Sequence, residues 1–266
     1  MHTEPPITRG LPQPGDSYVQ SFARGLAVIR SFNAEHAEQT LSEVAMRTSL
    51  TRAGARRILL TLQALGYVVT DGKYFRLTPR ILDLGFAYLS SMPMWDLAEP
   101  FMSEFVNEVH ESSSVAVLDG TDAVYVLRVP TQKIMRISLG IGSRLPAYCT
   151  SLGRVLLSGL SQEEVRAVLE QSDIRATTRN TLTDIDHIEA RVQQVREQGW
   201  CLVDQELEEG LISMAAPIRN KQGRVVAAIN VSGQANRTNA QEMQERMLQP
   251  LLQVAQSISK MVMSSR

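Results

Sequence analysis

The chain predicts an α+β fold in two parts: an N-terminal winged helix-turn-helix, joined by a linker helix to a larger α+β domain. Three observations carry the prediction. Residues 41–69 read as a helix, a short turn, a second helix and a strand (LSEVAMRTSLTRAGARRILLTLQALGYVV). Residues 67–77 place two β-prone runs around Asp71-Gly72, a dipeptide that closes hairpins. Beyond residue 110, six β-type runs are interleaved with amphipathic helices.

Residues 1–16 (MHTEPPITRGLPQPGD) hold four prolines and little to bury, the composition of a disordered leader. The small domain follows over residues 17–78. It opens with an amphipathic helix over 17–32, with Phe22, Leu26, Ile29 and Phe32 inward. The helix over 41–47 turns Leu41, Val44 and Ala45 inward and Ser42 and Glu43 outward. Thr51 is placed to N-cap the next helix. With Ile58 set at the centre of its buried face, Leu62 and Leu65 lie about 40° and about 20° to either side at 100° per residue. Ala55 and Leu59 then fall at the margin, and Arg52 and Arg56 share the opposite face, as the candidate readers of bases. Ala53 sits at the exposed start, and Arg57 lies on the flank, within reach of a phosphate. A basic helix anchored on an apolar seam is how a chain enters a DNA groove. The hairpin after it is a wing, with Lys73 at the tip and Arg76 nearby, both placed to meet the DNA backbone.

Residues 79–92 read as a linker helix with Ile81, Leu84 and Leu89 apolar, broken at Pro93. The second domain, 93–266, begins with a helix over 95–110. Its β-type runs are 115–118, 124–129, 134–139, 200–203, 212–217 and 225–231. Helices lie at about 151–159, 162–170 and 185–198, and a long one closes the chain from 239 to about 263. The turn Asn220-Lys221-Gln222-Gly223 joins the last two strands as a hairpin. Antiparallel strands with helices on the faces make this an α+β domain and exclude a doubly wound parallel one.

Charge follows the same division. Residues 1–80 hold ten Lys/Arg and six Asp/Glu, a net of +4; the other 186 hold 17 and 22, a net of −5. A basic small domain beside an acidic larger one suits a nucleic-acid reader joined to something else. A net of +4 is modest, so two copies are expected to act together on DNA. No stretch of 18 apolar residues and no cleavable signal are present, which excludes a membrane protein and points to the cytoplasm. The four histidines (His2, His36, His110, His187) lack ligand spacing, so no metal site and no cofactor are expected. Cys149 and Cys201 read as two unrelated buried thiols; the alternative is a redox-responsive switch should they meet in space.

Chemistry is not signalled. Gly140-Ile141-Gly142 has Leu145 where a dinucleotide loop needs a third glycine, and no nucleophile–base pair stands out, so the chain is not read as an enzyme. Glu206, Glu208 and Glu209 read as a solvated acidic loop. The second domain does place polar residues on apolar elements: Thr150 and Ser151 at a helix start, Ser213 inside LISMAAPI, and Asn230 and Ser232 inside AAINVSG. Burying such groups costs roughly 1–3 kcal/mol each unless they are paired. Three separate segments doing so describe the wall of a polar pocket, and a helix starting near Ser151 would aim N–H groups at an anion such as a carboxylate.

The chain resembles the IclR family of bacterial transcriptional regulators over residues 18–262. The stretches that carry the resemblance are SFARGLAVIRSF, TLSEVAMRTSLTRAGARRILLTLQALGYV, YFRLTP, RLPAYCTSLGRVLLSGL, GWCLVDQELEEGLISMAAPIRNKQGRVVAAINVSG and the closing helix. TRAGARRILLTLQALGYV, LTPRILDLGFAYLSS and KIMRISLGIGSRLPAYCTSLGRVLLSGL are similar, more narrowly, to the PcaR/PcaU/PobR group, which controls aromatic-acid catabolism through the β-ketoadipate pathway. The resemblance implies a GAF-like effector-binding domain and a homo-oligomer, dimer or tetramer, on palindromic double-stranded operator DNA. It implies a small carboxylate effector (β-ketoadipate, protocatechuate or 4-hydroxybenzoate) that changes half-site spacing or contact with RNA polymerase. Carried onto this sequence, it points to Ser151, Leu152, Leu211, Ser213, Asn230 and Ser232 as pocket residues, with Asp204 nearest the family's acidic position. Tyr148, Ser213 and Asn230 stand where the family often has histidine, cysteine and serine. Arg136 and Arg144 are candidates to pair with the effector carboxylate, Arg144 equally to hold its own loop.

Overall fold

The computed structural model describes residues 15, 18–91, 94–131 and 139–264. The expected leader falls outside the described residues apart from Gly15, as do Arg136 and nearly all of the strand expected over 134–139. The described residues form two compact units, one within 9–91 and the other within 92–266.

In the first unit, helices α1 (Gln20–Arg30), α2 (Leu41–Arg47) and α3 (Arg52–Ala64) enclose a small core of Val28, Phe32, Val44, Ala45, Ala55, Leu59 and Leu62. Helix α2 starts in a capping box: Thr40 Oγ1 accepts from Glu43 N–H, and the Glu43 carboxylate accepts from Thr40 N–H at 2.7 Å. Those bonds hold the Glu43 carboxyl below its ordinary value. Ser49, at φ 54°, turns the chain between α2 and α3, and Thr51 N-caps α3 as expected, its hydroxyl accepting from Gly54 N–H at 3.1 Å. Behind α3, strands β2 (Val68–Thr70) and β3 (Tyr74–Leu77) form the wing. Asp71 accepts from the N–H groups of Lys73 and Tyr74, and Gly72 takes φ 100°, a backbone that glycine adopts without strain.

Three expectations are corrected here. Phe22 is exposed, and Val28 supplies the buried side chain of α1 instead. The buried centre of α3 is Ala55, Leu59 and Leu62, whereas Leu65 is exposed and Ile58 half-buried. This turns the helix by about 65° from the sequence expectation, because the small Ala55 allows close approach where a branched side chain does not. A third strand, β1 (Glu38–Thr40), pairs with β3 to give a three-stranded sheet in the order β1-β3-β2. Its three residues are too few to show a period. The linker region is a 3₁₀ turn (Pro79–Ile81) running into α4 (Leu82–Ser90), where Leu82, Leu84 and Phe86 are exposed.

The second unit is α+β, as expected. Its sheet has the order β6-β5-β4-β9-β8-β7, every neighbouring pair antiparallel. The strands are β4 (Ser112–Asp119), β5 (Asp122–Val129), β6 (Arg144–Pro146), β7 (Cys201–Asp204), β8 (Leu211–Arg219) and β9 (Val225–Gln234). Strand β6 was not expected; proline and glycine nearby hide a three-residue edge strand. Helices α5 (Met94–Val109) and α9 (Ala240–Ser264) cover one face, packing on Ile212, Met214, Ala216, Ile218, Ile229 and Val231. Helix α6 (Ser151–Leu157) lies on the other, over Ala116, Tyr125, Val203, Ala215 and Ala228. Helices α7 (Gln162–Gln171) and α8 (Ile185–Gln198) build a further cluster around Tyr148, Leu157 and Ile188. The period of two along β8 and β9 thus sends one set of residues to α5 and α9 and the other toward α6.

Candidate functional site

Helix α6 can lie close to the sheet because of a glycine. A Cβ at Gly153 would fall 2.2 Å from both the Cα and the carbonyl oxygen of Ala147. Thr150 caps the helix, accepting from Gly153 N–H at 3.1 Å and donating to the Pro146 carbonyl, so part of the helix start is satisfied internally. Ser151 then meets β8, its hydroxyl 2.9 Å from that of Ser213.

On the sheet side, register aligns a polar row. Ser213 faces Ser232, Ser232 faces Ser112, and Asn230 faces Ser114. The Asn230 side chain accepts from Ser114 N–H at 3.0 Å and donates to the Ser232 hydroxyl at 3.0 Å. Arg128, opposite Ser114 on β5, donates to the Ser114 hydroxyl at 3.2 Å. A β-bulge puts it there: Val115 pairs with Leu127 but Ala116 with Tyr125, so Val126 is the extra residue. Tyr125 and Arg128, three positions apart, therefore reach the same cavity, where strict alternation would separate them. Burial pushes the Tyr125 phenol up to about 12, against the opposing pull of the Arg128 charge and a hydrogen bond with Asn230. It is a neutral hydroxyl at physiological pH.

These groups line one enclosed cavity of about 30 Å³ with Leu139, Leu145, Leu152, Val203, Leu207 and Leu211. Of the residues expected there, Thr150, Ser151, Leu152, Leu211, Ser213, Asn230 and Ser232 are brought together. Two are not. The Tyr148 hydroxyl is used on the backbone of Arg175, donating to its carbonyl and accepting from its N–H. Asp204 points away, its carboxylate accepting from the Gln205 side chain; Val203, one position earlier, lines the cavity instead. Arg144 holds its own loop, paired with Asp119 at 2.6 Å and Asp122 at 2.9 Å. Arg128 was missed, although a lone charge inside the apolar run DAVYVLRV was a visible signal.

The acidic loop also differs from expectation. Glu206 is buried and forms two 2.6 Å hydrogen bonds with the buried guanidinium of Arg154. Cys149 and Cys201 are both free and buried, in different clusters. Burial pushes their thiols up to about 11 and about 12, which leaves them protonated and unreactive at neutral pH.

In the first unit, Ser42, Thr51, Arg52, Ala53, Arg56, Arg57, Lys73 and Arg76 are all exposed. Around the observed buried centre of α3, Arg52 lies at about 50°, Arg56 at about 90°, Ala53 at about 150° and Arg57 at about 170°. Arg57, expected on the flank, thus points most directly outward. The wing cations are engaged at home: Arg76 pairs with Glu38 at 3.1 Å, and Lys73 sits 4.8 Å from the Tyr74 ring centre. No helix among the described residues is long and apolar enough to cross a membrane.

Comparison with known proteins agrees with both units. Residues 21–72 match the IclR helix-turn-helix domain, and residues 86–260 match the bacterial transcriptional regulator IclR C-terminal domain. The Pca regulon regulatory protein of Pseudomonas putida is 42% identical over 242 residues, 91% of this chain and 83% of that one. The p-hydroxybenzoate hydroxylase transcriptional activator of Acinetobacter baylyi is 35% identical over 252 residues, 93% of each chain. A transcriptional regulator from Rhodococcus sp. RHA1 superimposes with a TM-score of 0.82 at 50% identity, covering 92% of this chain and 98% of its own. The inducer-binding domain of PobR from Acinetobacter, a double mutant in complex with 3-hydroxybenzoic acid, superimposes with a TM-score of 0.58 at 32% identity. That match covers 62% of this chain and 97% of the domain.

Proposed function

The chain belongs to the IclR family of bacterial transcriptional regulators, and from that premise we propose that it controls genes of aromatic-acid catabolism in response to a small aromatic carboxylate. The observation that carries the effector half is the cavity under α6. It offers one guanidinium, Arg128, beside the neutral hydroxyls and amide of Ser151, Ser213, Asn230, Ser232 and Tyr125, between apolar walls. A carboxylate on Arg128, a ring against Leu152 and Leu211, and a ring hydroxyl on the Ser151–Ser213 pair satisfy that arrangement. Protocatechuate and 4-hydroxybenzoate have this form, and the relatives' names concern the same chemistry.

The DNA half rests on α3. Ala53 and Arg57 occupy its outer side with Arg52 and Arg56 exposed on the flank, and among the described residues none of the three arginines is in an ion pair. We assign Arg57 and Ala53 to the groove floor and Arg52 and Arg56 to its walls, with Ser42, Thr51, Lys73 and Arg76 near the phosphates. This assignment exchanges the roles that periodicity alone gave to Arg57 and to Arg52 with Arg56, and the rotation of α3 supports it. A homo-oligomer on a palindromic operator supplies the affinity that one +4 unit lacks.

Fluorescence anisotropy with promoter fragments of aromatic-acid catabolic operons tests this reading. The expected result is a sequence preference that survives moderate salt and changes pattern in Arg57→Ala. Binding that is equal for all sequences and vanishes with salt would end it.

A further inference from the structure

We propose that the buried Arg154–Glu206 pair is the positioning element of the effector pocket, a latch that sets how fast and how selectively the cavity admits a ligand. This rests on the reading of that cavity as the effector site. The enclosed space, about 30 Å³, is far below the roughly 300–1,000 Å³ of ordinary ligand pockets, so one wall must give way when an aromatic acid enters. The sheet wall is a hydrogen-bonded ladder of antiparallel strands, interrupted by the bulge at Val126. The α6 wall is buried along its whole length and set on the Ala147 backbone through Gly153.

Leu139 and Leu145 close the cavity beside the edge strand β6, and opposite them lie residues 205–210, the loop between β7 and β8 that carries Leu207 into the cavity and leads into Leu211. Its ends have left-handed backbone, φ 57° at Gln205 and 85° at Gly210. They also close on each other: Gln205 N–H donates to the Leu211 carbonyl at 2.8 Å, and Gly210 N–H to the Gln205 side chain at 2.9 Å. A loop closed at its base can swing as one piece. Thr178 donates to the Gln205 carbonyl at 2.6 Å and Ala235 N–H to the Gly210 carbonyl at 2.8 Å at the two ends, and between them Glu206 is the charged tether.

The Glu206 carboxylate receives both Arg154 Nη groups at 2.6 Å and Leu182 N–H at 3.2 Å. Its carbonyl receives the hydroxyls of Thr177 and Thr181 at 2.7 and 2.6 Å. Arg154 in turn donates through Nε to the Tyr148 carbonyl at 2.9 Å. The pair thus ties this hinged loop to the helix that presents Thr150, Ser151 and Leu152 to the ligand. A buried ion pair adds little net stability over a well-packed apolar pair, whereas its fork geometry fixes position closely.

The test uses the full-length protein. In Glu206→Gln, which keeps the shape and loses the charge, hydrogen exchange at the amides of Leu182 and Ala235, which bond to the loop from outside it, is expected to rise tenfold or more without ligand. Amides of the β8–β9 ladder should keep their wild-type rates. Association and dissociation of 4-hydroxybenzoate should both speed up at least fivefold with a smaller change in Kd. A bulkier hydroxynaphthoate that the wild type excludes should bind. Arg154→Met combined with Glu206→Leu restores an apolar filling and should show the same fast kinetics at near wild-type melting temperature. Unchanged exchange and rates in both variants, or exchange raised uniformly across the unit, would overturn the latch. Should the wild type bind no aromatic acid, the reading of the cavity fails, while the exchange measurement still decides the latch.

Discussion

Replacing Gly153 by alanine adds one methyl group at the most crowded point of the effector unit. The new Cβ would sit 2.2 Å from the Ala147 Cα and carbonyl oxygen, where ordinary contacts begin at 3.4 Å, so α6 must retreat by about 1.2 Å. The obstacle is backbone, and no rotamer change relieves it. Overpacking of this kind costs about 1–3 kcal/mol, and the upper end applies. Alanine recovers about 1 kcal/mol of helix propensity, leaving a net loss of about 2 kcal/mol. For a unit of this size that lowers the melting temperature by about 4–8 °C. The same retreat stretches the 2.9 Å Ser151–Ser213 contact, so effector affinity should fall at least tenfold. Differential scanning calorimetry and isothermal titration with 4-hydroxybenzoate read the two effects. Gly25→Ala is the control: a Cβ there meets nothing within 4 Å, and the variant should be as stable as wild type or more so. A Gly153→Ala protein that melts at or above the wild-type temperature would refute the packing argument.

Arg128→Met should weaken aromatic-carboxylate binding about 10- to 150-fold by removing a charge-assisted hydrogen bond worth about 1.5–3 kcal/mol, whereas Arg144→Met, whose parent serves Asp119 and Asp122, should leave it within about twofold; titration calorimetry separates the two. Thr51→Ala removes the N-cap of α3 and should cost the small unit about 1 kcal/mol, read by chemical denaturation, with DNA affinity falling as the helix start frays. The thiols of Cys149 and Cys201 carry raised values, about 11 and about 12 against an ordinary 9, so the protonated form is the one the fold favours. Their contribution is intact below pH 9 and is lost as pH rises through the window up to about 12. At pH 8 iodoacetamide should react only as fast as the unit opens, and DNA binding should survive both Cys→Ser changes; rapid labelling of native protein would contradict the assignment and favour a redox switch.

Periodicity was enough to locate the helix-turn-helix, because Leu41, Val44, Ala45 and Leu59 repeat at helical spacing and Asp71-Gly72 names its own turn. It misjudged the rotation of α3, since hydropathy weights Ile58 and Leu65 above Ala55, while packing rewards the small residue where helices come close. In the larger unit, Ser213, Asn230 and Ser232 were visible as polar interruptions of apolar strands, and the register brings them together. Arg128 stood out as a charge in an apolar run, but its direction was not legible, because a bulge breaks the period of two and no local pattern announces a bulge without its partner strand. Glu206 was taken for surface because its partner lies 52 positions away on α6, a distance over which sequence pattern carries no information. Tyr148 and Asp204 came from resemblance alone, and hydrogen bonds to Arg175 and Gln205 hold them off the cavity.

The central claim is that one chain couples an aromatic carboxylate under α6 to the grip of α3 on DNA. Operator affinity measured by anisotropy with and without saturating 4-hydroxybenzoate or protocatechuate tests it directly, on wild type and on Arg128→Met. Linkage requires the acid's affinity to change by the same factor when DNA is bound. The account predicts a reciprocal change of about 5- to 150-fold in wild type, in the range of ordinary coupling energies, that is absent in Arg128→Met at the same acid concentration. Operator affinity indifferent to every aromatic acid tried, or shifted equally in both proteins, would contradict it.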